Sequence, residues 1–115
     1  MQALTLLNDQ AYVEMALGFA VSILERTQGK SDKDRVTHAV RRALSRDPSD
    51  REIKVLLSLL NEQSERLKSA TSIAKSLLSQ APQIEVSEKL DSDEVGAWFF
   101  VANALLNLDE TITKG

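Results

Sequence analysis

His38 is the only histidine in the chain, and imidazole is the side chain best suited to general-base work or metal ligation near neutral pH. Either role needs a constellation: a second ligand, or a group that orients the ring. Helical spacing sets His38 beside Arg41 and Arg42, away from the Val36–Val40 stripe, with no second ligand of similar quality nearby. The expectation is a surface histidine. The acidic run Asp91-Ser92-Asp93-Glu94 opens like a calcium loop, which needs glycine at its sixth position and glutamate at its twelfth. Those positions hold Gly96 and Ala102, so the bidentate acid is missing and the run reads as a helix start. Lys33, Arg35, Arg41, Arg42, Arg46 and Arg51, followed by a proline turn and a further helix, suggest a helix-turn-helix. The helix that would enter the groove carries Glu52 and Glu62, however, and the chain is acidic. The cluster is read instead as a surface that docks an acidic partner, with Arg41, Arg42 and Arg46 as its candidates. Trp98 could serve as a ligand platform, but it shares a stripe with Phe99, Ala102 and Leu105, and core packing is the default for such a residue. No serine, threonine or lysine lies within a recognisable nucleophile motif, so no catalytic residue is assigned.

Bulk properties bound the rest. A chain of 115 residues with 43% hydrophobic and 27% charged residues is globular in composition and of single-domain size. Its net charge of −3 argues against general nucleic-acid binding, which needs a basic surface to neutralise phosphates. With no cysteine there are no disulfides, thiolate metal sites or thioether-linked haem. The most apolar stretch, Val95 to Leu108, includes Asn103 and Asn107 and falls short of the roughly 20 residues a membrane span requires. Membrane insertion is not expected, and no signal peptide is evident.

Helical periodicity dominates. A first helix is expected from about Gln10 to Thr27, capped by Asn8 or Asp9 and closed by Gly29. Two apolar stripes, Tyr12-Ala16-Phe19-Ala20-Ile23 and Val13-Leu17-Val21-Leu24, mark it as a central helix. A second spans roughly Asp32 to Arg46, started by Ser31 with Asp34 and carrying acids first and arginines last, in step with the helix dipole. Asp47-Pro48 breaks the chain, and Ser49 with Glu52 starts a third. Its inward face is Ile53, Leu56, Leu57, Leu60 and Leu67, widened by Val55 and Leu59. Ala70, Ile73, Ala74, Leu77 and Leu78 continue the helical spacing after a kink or short break near Ser69. Residues 81–91 lose periodicity and read as a loop. A last helix runs from about Asp93 to Leu108, burying Val95, Trp98, Phe99, Ala102, Leu105 and Leu106. All five aromatics lie on the first and last of these helices, which should therefore pack together.

Leu-Leu-Asn occurs at 6–8, 59–61 and 105–107. The unequal spacings and unlike flanks exclude a solenoid, which keeps its period. Asn61 is expected on an exposed helix face, while Asn8 and Asn107 read as helix punctuation. Leu4, Leu6 and Leu7 then form the tail (1–7) of an element that begins in a larger protein.

Several of these residues occur in a familiar order: "QALTLLND", Tyr12, Arg35-Val36, Ala43-Leu44, Arg46, Pro48, Glu52, Trp98, "ALLN" at 104–107 and Glu110. In them the chain resembles the C-terminal domain, of unknown function, of planctomycete-type cytochrome-associated proteins. The likeness covers nearly the whole chain and is weakest from Ser69 to Asp93. It departs at Gln10, where the family usually has proline, at Ser45, where it has glycine, and at Thr111, where it has an aromatic. The resemblance implies a large secreted bacterial parent, extracytoplasmic or periplasmic, with a c-type haem module upstream. No cofactor belongs to this segment, since the cysteine-containing haem attachment motif is missing.

The expectation is an all-α protein, a compact bundle of four to five helices forming one domain over 1–115 at the C-terminal end of its parent. Its expected role is a non-catalytic module that packs against or positions the rest of that protein. Accessory service to an upstream active site (polymer breakdown or redox) and docking of a separate protein are the alternatives. The residues assigned to docking are Leu4, Leu6, Leu7, Arg41, Arg42 and Arg46. Exposed leucines at the amino terminus would also let the isolated segment self-associate.

Overall fold

Each break in helical periodicity has a local physical cause. The computed structural model describes residues 10–114, with the side chains of all of these but 71 and 108–114. Helix α1 (Gln10–Arg26) buries both of its apolar stripes, with Phe19 only half-buried. It ends where the Thr27 hydroxyl donates to the Ile23 carbonyl (2.6 Å), and Gly29, at φ +78°, turns the chain as a side-chain-bearing residue would do only under strain. Helix α2 (Asp32–Leu44) starts at Ser31, whose hydroxyl accepts from the Asp34 amide. It stops before Arg46, two residues short of the expectation, because Ser45 adopts the left-handed conformation (φ 57°) and its amide closes on the Arg41 carbonyl. A left-handed residue at a helix end is the position glycine fills most easily.

Helix α3 (Asp50–Ser69) begins with a complete capping box. Ser49 Oγ accepts from the Glu52 amide, and the Glu52 carboxylate accepts from the Ser49 amide. Ala70 (φ −141°, ψ 73°) breaks the helix, and α4 (Thr71–Ser79) follows in a new direction. Residues 80–91 are neither helix nor strand, yet Ala81 is buried and Ile84, Val86 and Leu90 pack against the core. Helix α5 is longer than its sequence suggested, running Ser92–Lys114. Asn107 therefore lies within a helix and does not end one. Asn61 sits exposed within α3, while Asn8, the tail 1–7 and its three leucines lie outside the described residues.

The architecture is an all-α bundle of five helices among the described residues, with a radius of gyration of 13.5 Å. That is close to the ~13 Å expected of a compact chain this long. The central helix is α5, not α1: it packs on all four others and most extensively on α1. Val95, Gly96, Ala97, Trp98, Phe99, Val101, Ala102, Asn103 and Leu105 are all buried, so burial runs nearly all the way round the helix. Phe19 and Trp98 belong to the same core, as the shared distribution of aromatics implied. The half-buried aromatics at its margin are covered by arginines from neighbouring helices. The Arg42 guanidinium lies 5.9 Å from the Phe19 ring centre, and Arg66 lies 5.0 Å from that of Phe100.

Enclosure on all sides requires small residues. A Cβ at Gly96 would stand 3.0 Å from Leu67 Cδ1 and 3.5 Å from the Ala74 Cβ, and Leu67 is itself fully buried with little room to yield. Gly96→Leu is expected to destabilise the fold by about 1–3 kcal/mol through overpacking. Gly96→Ala should cost less, since alanine recovers up to about 1 kcal/mol of helix propensity. In the opposite direction, Ser45→Gly should stabilise by about 1 kcal/mol by relieving a left-handed residue. Urea denaturation reads all three, and an unchanged midpoint for Gly96→Leu would contradict the close approach.

Candidate functional site

The basic cluster singled out in the sequence is largely an internal clasp. Arg35, half-buried at the start of α2, donates Nε to the Thr27 carbonyl (3.3 Å) and Nη1 to Glu94 Oε2 (2.8 Å). It thereby joins the end of α1 to the start of α5. After the other end of α2, Arg46 forms a fork with Glu52, Nη1 to Oε1 at 2.8 Å and Nη2 to Oε2 at 2.7 Å. Glu52 is also the capping-box acid, so one carboxylate starts α3 and holds the α2–α3 turn. The Arg46 guanidinium, followed by the Ser49 amide, holds the Glu52 carboxyl well below its ordinary range, at about 2, and Glu52 in turn raises Arg46. Arg41 pairs with Asp47 on the exposed surface, where such a pair contributes little. Arg42 donates to Ser22 Oγ on α1 (2.9 Å).

Of the six residues assigned to docking, Arg41, Arg42 and Arg46 each have an internal partner, in the α2–α3 turn, on α1 and on α3 respectively. Leu4, Leu6 and Leu7 lie outside the described residues.

A different surface is apolar and concave. Along α3, Val55, Leu56 and Leu59 with Ala104 of α5 line an apolar concavity of about 390 Å³, rimmed by Arg51 and Glu52. A second concavity shares Val55 and Leu59 and is rimmed by Lys54, Ser58 and Glu62. The expected inward stripe of α3 is too wide: Leu56, Leu60 and Leu67 are buried, but Val55 is 60% exposed. The signal lay in the sequence, because six apolar residues among 53–60 exceed what one helix can bury against one neighbour.

His38 is half-buried, not fully on the surface, and its Nε2 is covered without a hydrogen-bond partner. Burial, then Arg42, Arg26 and Arg41, depress its pKa. Asp91, Asp93 and Glu94 line a small cleft with Ser64 and Lys68, and the Asp91 carbonyl accepts from the Val95 amide as α5 begins. Among the described residues, no group of three or more His, Cys, Asp or Glu could hold a metal. No described helix is long and apolar enough to cross a membrane.

Residues 1–60 match the model of a protein family, PSD1, described as a protein of unknown function (DUF1553). No curated protein and no solved structure matches the chain.

The Arg46–Glu52 fork makes stability acid-sensitive with a defined sign. Glu52 is depressed on folding, so its contribution is complete above its ordinary value of 4.5 and is lost as pH falls toward about 2. Glu52→Gln, which keeps a capping oxygen but not the charge, should lower the melting temperature at pH 7 and flatten its decline between pH 5 and 2. Parallel acid limbs for the two proteins would show that the fork adds nothing. Ser49→Ala should cost about 1 kcal/mol at any pH through loss of the cap.

Proposed function

We propose that this chain, which belongs to the PSD1 family of proteins of unknown function (DUF1553), is a non-catalytic helical module that packs against and positions the rest of a larger protein. The observation that carries this reading is the apolar groove along α3, with Val55 exposed between Leu56, Leu59 and Ala104. Exposed apolar concavities rimmed by charge are where protein partners bind. The rim defines the occupant. Arg51 and Lys54 have no carboxylate within ion-pair distance among the described residues. A segment of the parent chain with an apolar ridge flanked by acidic residues satisfies both. The resemblance to planctomycete-type cytochrome-associated proteins supports an extracytoplasmic parent. It also supports placing haem, and any catalytic groups, upstream of this segment, leaving the module itself without a cofactor.

The test expresses this segment and the remainder of its parent as separate chains and measures their association. Val55→Asp and Lys54→Glu alter exposed positions that the fold does not need, and each should weaken binding by about tenfold or more, some 1.4 kcal/mol. Leu6→Asp with Leu7→Asp tests the amino-terminal leucines in the same assay. Undiminished association of a folded Val55→Asp variant, or no association of the unaltered pair, would remove the groove from the reading.

A further inference from the structure

A further concavity, which shares no lining residue with the α3 groove, has the opposite character. Arg26, Thr27 and Lys30, at and just beyond the end of α1, face Asp34, Thr37, His38 and Arg41 of α2 across a polar cleft of about 340 Å³. Beside it, Arg26 Nε (3.3 Å) and Arg42 Nη1 (2.9 Å) both donate to the same neutral oxygen, Ser22 Oγ. Two guanidinium groups converging on one hydroxyl repel each other, and among the described residues neither has a carboxylate within ion-pair distance. We infer that this cleft binds a tetrahedral dianion of the phosphate class, held by Arg26 and Lys30 of its lining and by Arg42 beside it, with His38 at its wall.

The charge count selects the ligand. Arg41 of the lining is committed to Asp47, which leaves Arg26 and Lys30 of the lining, with Arg42 beside it, against one lining carboxylate, Asp34. Two positive charges in excess, on a chain whose net charge is −3, match a dianion better than a single carboxylate. Guanidinium forks suit tetrahedral oxyanions in geometry as well as charge. Two carbonyls at the end of α1 are already engaged, Ile23 O by the Thr27 amide and hydroxyl and Thr27 O by Arg35 Nε and the Lys30 amide. His38 lines the cleft and its Nε2 lacks a partner. The cations that depress its pKa include Arg26 and Arg42, so an anion seated between them would reverse that influence.

The experiment is an NMR titration of the whole chain with inorganic phosphate, with chloride adjusted to hold ionic strength constant. Saturable shifts are expected at Lys30, Thr37 and His38, together with a rise in the His38 pKa. Arg26→Gln and Lys30→Gln should each weaken binding about tenfold, the scale of one hydrogen bond to a charged group. Lys30 is exposed and outside any helix, so Lys30→Gln tests the site without risk to the fold. Lys75→Gln on α4 should leave binding unchanged. Tighter binding of phenyl phosphate than of inorganic phosphate would assign the oxyanion to the terminus of an ester, whereas equal or weaker binding would assign the free ion. Shifts that chloride reproduces, or wild-type affinity in both Arg26→Gln and Lys30→Gln, would overturn the assignment.

Discussion

Helix α5 packs on all four other helices, and that central place constrains every other element. A helix surrounded on all sides cannot carry large side chains all the way round, because neighbouring axes must approach to within about 8–10 Å. The segment answers with Gly96, Ala97 and Ala102 among Val95, Trp98, Phe99, Val101 and Leu105. The small residues admit α3 and α4, while Trp98 fills the volume that remains. The breaks in the chain follow from the same requirement. Ala70 redirects α4 so that Ala74 reaches Gly96, and the segment 80–91 crosses the bundle with Ala81 and Ile84 turned onto the core.

A central helix supplied last by the chain is held to elements that are distant in sequence. Arginines on and beside α2 contribute much of that attachment. Arg35 spans from the end of α1 to Glu94, and Arg46 locks the turn into α3 through the acid that also caps that helix. Their energetics differ. The Arg35 side chain is only 13% exposed, so its pair with Glu94 is screened less by water than the surface pair of Arg41 and Asp47. Arg35, Arg46, Glu52 and Trp98 are thus among the residues that hold the bundle together.

The two open surfaces fall on elements that this scheme leaves under-used. α3 carries more apolar residues than its neighbours α2, α4 and α5 cover, and the surplus lines the groove. The end of α1 and the outer face of α2 carry more cations than their carboxylates can pair, and the surplus gathers near His38. One surface favours burial of an apolar partner and the other favours neutralisation of charge, so the two would respond oppositely to salt.

Much of the architecture was legible in the residues, because helix starts and stops are local chemistry. Ser31, Ser49 with Glu52, Gly29 and the break near Ser69 each act within a few residues of themselves. The pairing of the aromatic helices was legible too, since only α1 and α5 carry rings. Other features depended on distant neighbours. Ser45 could be seen to stand where a glycine is usual, but its left-handed turn appears only when α3 must return beside α2. Val55 and Leu59 repeat with the same apolar spacing as Leu56 and Leu60, and spacing does not reveal which neighbour will be present to cover them. The convergence of Arg26 and Arg42 on Ser22 joins residues up to twenty positions apart. The sequence by itself determined an all-α chain, its punctuation and its acidic, cysteine-free chemistry, because these follow from each residue and its nearest turns. Only the tertiary structure decided that α5 is the centre, and which apolar and charged side chains remain uncovered, because burial and charge pairing are properties of what the folded chain brings alongside.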